Sequence, residues 1–234
     1  MPDAAAPAAD TLPPRRVRVW DLPTRLFHWL LAAAVVGSVA SAKIGGNAMV
    51  WHFRFGYAVL TLLAFRVVWG FVGGHWSRFR SFAWSPAALW RYLRGAPRPG
   101  EWLDVGHSPL GALSVFALLL VLALQVGTGL VADDEIANLG PLNRYVAADT
   151  GLAATAYHKK VGQWLLIALV AVHVVAVVAY LLRQRNLIAP MLHGDKLLPP
   201  TVPASVDTLA TRLFAAVVVA GCAVVVAWVV SLGH

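Results

Sequence analysis

Cysteine is nearly absent from this sequence, and this scarcity excludes several kinds of site. Cys222 is the only cysteine among 234 residues. One thiol cannot form an intramolecular disulfide, a four-cysteine cluster or the C-x-x-C-H motif that attaches a cofactor through thioether bonds. Any prosthetic group must therefore be held without such bonds.

Charged residues are also scarce, which excludes an ordinary soluble domain. They make up 13% of the chain, and 59% of the residues are hydrophobic, whereas roughly a quarter of the residues in a soluble domain are charged. A helix of about 20 apolar residues spans the hydrocarbon core of a bilayer. Five windows approach or exceed this length: residues 26–42, 51–72, 109–132, 157–182 and 209–232. The sequence predicts an all-α integral membrane protein, with an antiparallel four-helix transmembrane bundle and a fifth C-terminal transmembrane helix.

The distribution of Lys and Arg residues indicates how the chain is oriented in the membrane. The net charge is +8, but the basic residues flank the apolar windows and form no single face or block, so we predict no nucleic acid binding. With the N-terminus in the cytoplasm, thirteen Lys and Arg residues fall on the inner side and five on the outer side, and Arg66, within a span, is counted on neither side. The five outer residues are Lys43, Arg54, Arg144, Lys159 and Lys160. This asymmetry predicts a cytoplasmic N-terminus and a C-terminus on the opposite side.

The segments outside the spans are short and polar. Residues 1–16 are rich in Ala and Pro and are predicted to form a disordered cytoplasmic tail. A linker containing several prolines, residues 197–208, precedes the fifth span. Ser85 followed by Pro86 is typical of a helix start, so we predict a short interfacial helix over residues 86–94.

Four histidines lie in or at the ends of the predicted spans, at depths that match in pairs. The inner pair, His28 and His173, lies toward the cytoplasmic surface, and the outer pair, His52 and His158, lies at the opposite surface. His158 and His173 would be about 22 Å apart along one helix and about 60° from alignment. One helix face can therefore contribute a histidine to each of two sites. Histidine within a span is costly and is a functional candidate by default.

Two facing imidazoles form the ligand set of a bis-histidine haem iron, which leaves no open coordination position and favours electron transfer. We therefore predict two b-type haems, one for each histidine pair. Zinc is disfavoured because it needs three or four converging ligands, and no third ligand accompanies either pair. Three alternatives stay open: histidines that merely occupy helix ends, a transporter or proton channel in which histidines relay protons, and a haem-free membrane anchor of a redox complex.

Two arginines are candidate partners for haem propionates. Arg66 follows His52 by fourteen residues, about 21 Å deeper, at the depth of the inner pair. A buried arginine needs a counter-charge, which a propionate would supply, although a side chain that snorkels to the headgroups is an alternative. Arg54, beside His52, is the candidate for the outer haem. No acid–base constellation stands out, and no catalytic residue is predicted. The remaining histidines are predicted to be loop or terminal residues: His75, His107, His193 and His234.

Several stretches carry a family resemblance. They are RVWDLPTRLFHWLL, HFRFGYAVLTLLAFRVVWGFVG followed by HWSRF, GHSPLGALSVFALLLVLALQVGTGL, HKKVGQWLLIALVAVHV and NLIAPMLHGDK. In order and spacing they resemble the bacterial cytochrome b561 superfamily, and more closely the di-haem b-type cytochrome subunits of nickel-iron hydrogenases. The resemblance predicts a domain of this type over residues 17–196, and the extra helix predicted from hydropathy, residues 209–234, lies outside it. It implies the same four histidines as ligands and implies that His107, in GHSPLG, is a loop residue.

The resemblance also implies a function. It implies a membrane-bound di-haem cytochrome of the bacterial inner membrane. Together with the charge asymmetry described above, this predicts a periplasmic C-terminus. Such a protein would carry electrons between a quinone pool and a periplasmic redox partner, either a cytochrome or a hydrogenase-like protein. It would be an electron-transfer protein or a subunit of a quinone-linked oxidoreductase.

Two features depart from the family pattern. Many relatives carry Glu directly after the outer histidines of the second and fourth helices, where this chain has Phe53 and Lys159. Positive charge favours the reduced form of an iron centre, so we predict a higher potential for the outer haem than in relatives with both glutamates. The fifth helix is the other departure, and we predict that it serves packing or partner docking.

Overall fold

The computed structural model describes residues 13–98 and 100–233. The helices of these ranges are α1 (Leu22–Ile44), α2 (Met49–Val72), α3 (Pro86–Leu93), α4 (Pro109–Val131), α5 (Ala148–Tyr157), α6 (Gln163–Leu182), α7 (Ile188–His193) and α8 (Leu209–Ser231). A π-helical turn, His158–Gly162, joins α5 to α6 without a break. Five helices within the described ranges are long and apolar enough to cross a membrane. The predicted all-α membrane bundle with five spans is confirmed.

Polar caps begin several of these helices. The Asp21 carboxylate accepts a hydrogen bond from the Thr24 amide at 2.8 Å and starts α1 four residues before the apolar window. Ser85 accepts from Ala88 at the start of α3, which confirms the short helix predicted over residues 86–94. Since a cap satisfies backbone donors that have no partner inside the helix, it fixes where the helix begins. The fourth span begins at Ala148, earlier than the hydropathy window indicated.

A core between the two histidine pairs holds the four-helix bundle together. α1 packs along α2, α4 packs along α6, and α2 also contacts α4. Apolar side chains from all four helices form this core: Ala34, Val59, Leu63, Val121, Leu122 and Leu166. Lipid tails are as apolar as these side chains, so close packing stabilises the bundle here more than transfer from water does. In α1, α2 and α6 the core residues lie between the positions of the inner and outer sites.

The fifth span, α8, packs outside the bundle. It contacts α2 and, to a lesser extent, α1. Ala215 of α8 is buried against Phe27, Phe65 and Trp69, and Phe214 lies 6.2 Å from Trp69 between ring centroids. α8 therefore covers the side of α1 and α2 near their inner ends.

A small antiparallel sheet closes the inner face, by which we mean the end of the bundle where α1 begins. Strand β1 (Arg15–Arg18) pairs with strand β2 (Asp195–Leu198), with Arg15 opposite Leu198 and Arg18 opposite Asp195. The predicted disorder of residues 1–16 is therefore wrong for Arg15 and Arg16, because the backbone pairing orders them. Residues 1–12 lie outside the described ranges.

Asp207 links this sheet to two helices. Its carboxylate accepts from Arg18 Nη1 at 2.8 Å and from Arg212 Nε at 2.8 Å, and it lies 4.0 Å from Arg25 Nη2. Burial alone would raise the pKa of Asp207, but the hydrogen bond from Arg212 and the charges of Arg212 and Arg18 outweigh it and lower the pKa below 3.8. One carboxylate thus joins β1, α1 and α8.

We expect the contribution of Asp207 to stability to depend on pH. A carboxylate whose folded pKa is depressed stabilises the fold above the unfolded value, here about 3.8, and loses this contribution as the pH falls through the folded pKa. Thermal unfolding of wild type and Asp207→Asn in detergent should show a lower Tm for the variant at pH 7. The difference should narrow below pH 4. A difference that stays constant down to pH 3 would contradict the assignment.

Candidate functional site

The structure brings each predicted histidine pair together. The ring centroids of His28 on α1 and His173 on α6 lie 6.4 Å apart. Those of His52 on α2 and His158 in the π-helical turn lie 5.9 Å apart. Two imidazoles that bind one metal ion from opposite sides, each at about 2 Å, have centroids about 6 Å apart. Both separations therefore fit a single metal ion between two histidines.

The wider surroundings do not fit a zinc centre. Across residues 13–98 and 100–233, no group of three or more His, Cys, Asp or Glu side chains is placed to hold a metal ion. Zinc in proteins takes at least three such ligands. Two-histidine sites instead suit a metal whose remaining coordination positions are filled by a macrocycle.

Hydrogen bonds orient both outer histidines. His52 Nδ1 lies 3.0 Å from the backbone oxygen of Ser38 and 3.0 Å from its hydroxyl. His158 Nδ1 lies 2.9 Å from the backbone oxygen of Gln125 and 3.3 Å from the Thr128 hydroxyl. A ring that donates its Nδ1–H to a carbonyl presents its other nitrogen, Nε2, as the free ligand atom. The outer pair is thus held in the tautomer that metal binding needs.

The π-helical turn helps to place His158. The Gln125 side-chain amide donates to the backbone oxygen of His158 at 3.0 Å. Gly129, one turn later on α4, leaves room for the imidazole, since a Cβ there would lie 3.2 Å from His158 Cε1. A π-helical turn changes the direction of the side chains that it carries and is frequent at functional sites. Hydropathy carries no signal for it, so the sequence did not predict it.

A cavity of about 320 Å³ lies at the outer pair. Its walls come from all four bundle helices and include His52, His158 and the two lysines Lys43 and Lys159. Ligand pockets in proteins commonly measure about 300–1,000 Å³. Arg54 is not among the lining residues; its side chain is exposed, with the guanidinium 5.0 Å from the Trp51 ring centroid.

The surroundings of the inner pair contain polar atoms that lack partners. His28 Nδ1 is buried and makes no hydrogen bond to any described residue. Arg66 is buried, with its guanidinium over the rings of Phe79 and Phe82 at 4.6 Å and 5.8 Å, and its Nη1 atom is also unpartnered within the described ranges. Buried polar atoms are rarely left unpaired in folded proteins. The inner site therefore fits a bound group that carries acceptor atoms.

The three described histidines outside the two pairs lie outside the membrane-spanning helices. His107 lies in the loop before α4, as predicted, with its ring 4.8 Å from Trp20 and 4.5 Å from Phe82. Burial, followed by the charge of Arg66, lowers the pKa of His107 to about 3, so its ring is neutral at pH 7. His75 packs on Trp76, and His193 ends α7. His234 lies outside the described residues.

Comparison with known proteins gives one consistent result. The family model described as prokaryotic cytochrome b561 matches residues 19–194. Similar proteins include a probable Ni/Fe-hydrogenase B-type cytochrome subunit of Bradyrhizobium diazoefficiens, 25% identical over 83% of this chain and 94% of the relative. Another, a probable Ni/Fe-hydrogenase 1 B-type cytochrome subunit of Escherichia coli, is 28% identical over 75% of this chain and 88% of the relative. No solved structure gave a significant match.

The family match covers most of the chain and all four paired histidines. It agrees with the five membrane-spanning helices and with two-histidine sites that suit haem b. The protein is accordingly a multi-pass membrane cytochrome b with a role in electron transfer. It belongs to the prokaryotic cytochrome b561 family.

Proposed function

We propose that this cytochrome binds two haems b, one at the inner and one at the outer histidine pair, and carries electrons across the bilayer between them. The observation that carries the proposal is the presence of two histidine pairs with centroid separations of 6.4 Å and 5.9 Å at opposite ends of one bundle. His158 and His173 lie on one continuous helical segment, which sets the two sites about 22 Å apart along its axis. One haem would then lie toward each membrane surface.

The protein supplies the geometry for this function. Bound haem would provide a one-electron iron couple. The four histidines would hold the two haem irons, two histidines for each iron, and this ligand set would favour electron transfer over oxygen chemistry. The carbonyl partners of His52 and His158 fix those rings before binding. The apolar core between the sites keeps water out of the path.

We further propose a quinone pool and a periplasmic redox partner as the two ends of the electron path. The similar proteins are named as cytochrome subunits of hydrogenases, which supports a redox partner bound to the membrane cytochrome. The excess of Lys and Arg on the face that carries β1 supports a cytoplasmic N-terminus, a periplasmic C-terminus and insertion in the bacterial inner membrane. An electron that crosses the whole membrane would be coupled to its potential by about 2.3 kcal/mol per 100 mV.

Propionate contacts remain proposals for both arginines. For Arg66, the support is its burial, its Nη1 atom without a partner among the described residues, and its sequence position fourteen residues after His52. For Arg54, the support is its place two residues after His52. The lysines Lys43 and Lys159 line the outer cavity and are additional cations near that site.

The haem-to-protein ratio and the reduced-minus-oxidised visible spectrum of the detergent-purified protein test the proposal. We expect two b-type haems per chain, reduced by a quinol and reoxidised by an acceptor at the opposite face in vesicles. A colourless protein would contradict the proposal and would favour a transporter, a proton channel or a haem-free anchor. A protein with one haem would show that one histidine pair has another role.

Lys159 gives a prediction for the outer haem. Replacing this cavity-lining lysine with glutamate reverses a charge beside His158. The change should stabilise oxidised iron and lower the midpoint potential of the outer haem by an amount on the order of tens of millivolts, after solvent screening. Potentiometric titration measures the shift, with Lys160→Glu as the matched control because Lys160 does not line the cavity. An unchanged midpoint, or an equal shift in both variants, would contradict the role of Lys159.

A further inference from the structure

Two buried nitrogen atoms lie near the inner pair without a partner in the described part of the chain. One is Nη1 of Arg66, a residue that is only 3% exposed, and the other is Nδ1 of His107. Both nitrogens are hydrogen-bond donors when Arg66 is charged and His107 carries its proton on Nδ1. Because buried polar atoms are nearly always paired, the two atoms indicate a bound group, which must offer an acceptor to the guanidinium.

Arg66 and His107 both lie close to the ring of Phe82. Its ring centroid lies 4.5 Å from that of His107 and 5.8 Å from the guanidinium carbon of Arg66. Arg66 also lies over Phe79, with its guanidinium carbon 4.6 Å from the ring centroid, within the range of a cation–π contact. The two side chains therefore come from different elements, α2 and the loop before α4, and lie near the same aromatic ring.

The charges near these donors are basic. The groups that act electrostatically on His107 are Arg66, Lys196 and the two histidines of the inner pair. Arg66 senses the carboxylate of Asp21, but that carboxylate already accepts from Trp69, Gly74 and Ser77. No ion pair within residues 13–98 and 100–233 involves Arg66. Burying a guanidinium without a direct negative partner is costly, so a bound anion would stabilise Arg66.

We propose that Arg66 and His107 together bind one propionate carboxylate of the inner haem. This inference rests on the proposed di-haem function and extends it to His107, a residue that the sequence places in a loop without a role. A carboxylate has two oxygens, so it can accept from the Arg66 guanidinium and from the neutral His107 ring at the same time. The carboxylate also supplies the missing negative charge close to His28 and His173.

The test changes the charge of residue 66 and the hydrogen-bonding capacity of residues 66 and 107 in the haem-loaded protein. The variants are Arg66→Gln, Arg66→Lys, His107→Phe and His107→Gln, with Arg80→Gln and His75→Phe as controls in the neighbouring connection. Two quantities are measured: the midpoint potential of the inner haem and the rate at which the inner haem transfers to apomyoglobin. The inner haem is identified as the spectral component that His28→Ala removes.

We expect Arg66→Gln to lower the inner midpoint and to speed loss of the inner haem about tenfold, since a charge-assisted hydrogen bond is removed. His107→Phe should act in the same direction with a smaller effect. Arg66→Lys keeps the positive charge, and His107→Gln keeps a hydrogen-bond donor. Both variants should therefore have an inner midpoint potential and a rate of haem loss close to those of wild type. The outer midpoint should change little, and both controls should match wild type.

Three results would overturn the inference. The first is that Arg66→Gln and His107→Phe both show the same inner midpoint potential and the same rate of haem loss as the control variants. The second is that Arg66→Lys and His107→Gln behave like Arg66→Gln and His107→Phe, which would indicate that the two residues serve packing only. The third is that Arg66→Gln differs from wild type in these two quantities only when phosphatidylglycerol or phosphate is added, which would assign the site to a lipid headgroup or a free anion. A protein without haem would reject the proposed function itself, whereas two haems with an unshifted inner midpoint would reject only the propionate site.

Discussion

Replacing His52 or His158 with alanine should remove the outer haem and leave the inner one, so that the haem content falls from two to one per chain. Replacing His28 or His173 should have the complementary effect. The reason is that each iron would be held by the two histidines of one pair, and the rings of each pair lie about 6 Å apart across the bundle. The haem-to-protein ratio and the low-temperature visible spectrum distinguish the two components.

Double variants make this prediction sharper. His52→Ala with His158→Ala should retain one haem, as either single variant does, whereas His52→Ala with His28→Ala should retain none. His75→Ala and His193→Ala, which lie in the connections, should keep both haems. The pairing would be wrong if His28→Ala and His52→Ala removed the same spectral component, or if any single variant kept both haems with unchanged spectra.

Replacing Asp21 with alanine should destabilise the protein by about 3 kcal/mol or more, because several buried donors lose their acceptor at once. Asp21 is 1% exposed. Its carboxylate accepts from the Thr24 amide, Trp69 Nε1, the Gly74 amide and the Ser77 hydroxyl. It thereby joins the start of α1 to the end of α2, two helical turns from His28.

Thermal unfolding in detergent, together with haem retention, measures this effect. Asp21→Asn should be less damaging, because its amide oxygen still accepts hydrogen bonds. Asp104→Ala is the matched control, since Asp104 makes an exposed ion pair with Arg185, and such pairs contribute at most about 1 kcal/mol. A Tm for Asp21→Ala within the range of Asp104→Ala would show that the network around Asp21 is not needed for stability.

Helix number and histidine depth could be predicted because both are local properties of the chain. A run of about 20 apolar residues spans a bilayer whatever its neighbours are, and a rise of 1.5 Å per residue converts sequence position into depth. Together these rules gave the five spans and the pairing of His52 with His158 across two helices. Helix starts were less predictable, since α1 begins at the cap Asp21, outside its apolar window.

The sheet between β1 and β2 could not be predicted. Its strands are only four residues long and are separated by most of the chain, so neither carries a distinctive pattern of alternation. Arg18 and Asp195 are adjacent only because the bundle returns the chain to the inner face. The prediction of disorder for Arg15 and Arg16 failed for the same reason, as their order depends on a distant partner strand.

The sequence by itself determined that this chain lies in a membrane, which spans it has, and at which depths its histidines fall, because hydropathy and helical rise act along the chain. Only the tertiary structure decided how the sites are built. It placed Arg66 and His107 around Phe82, fixed the His52 and His158 tautomers through Ser38 and Gln125, and left Arg54 outside the outer cavity. These are contacts between separate segments, and they exist only once the helices have packed in one arrangement.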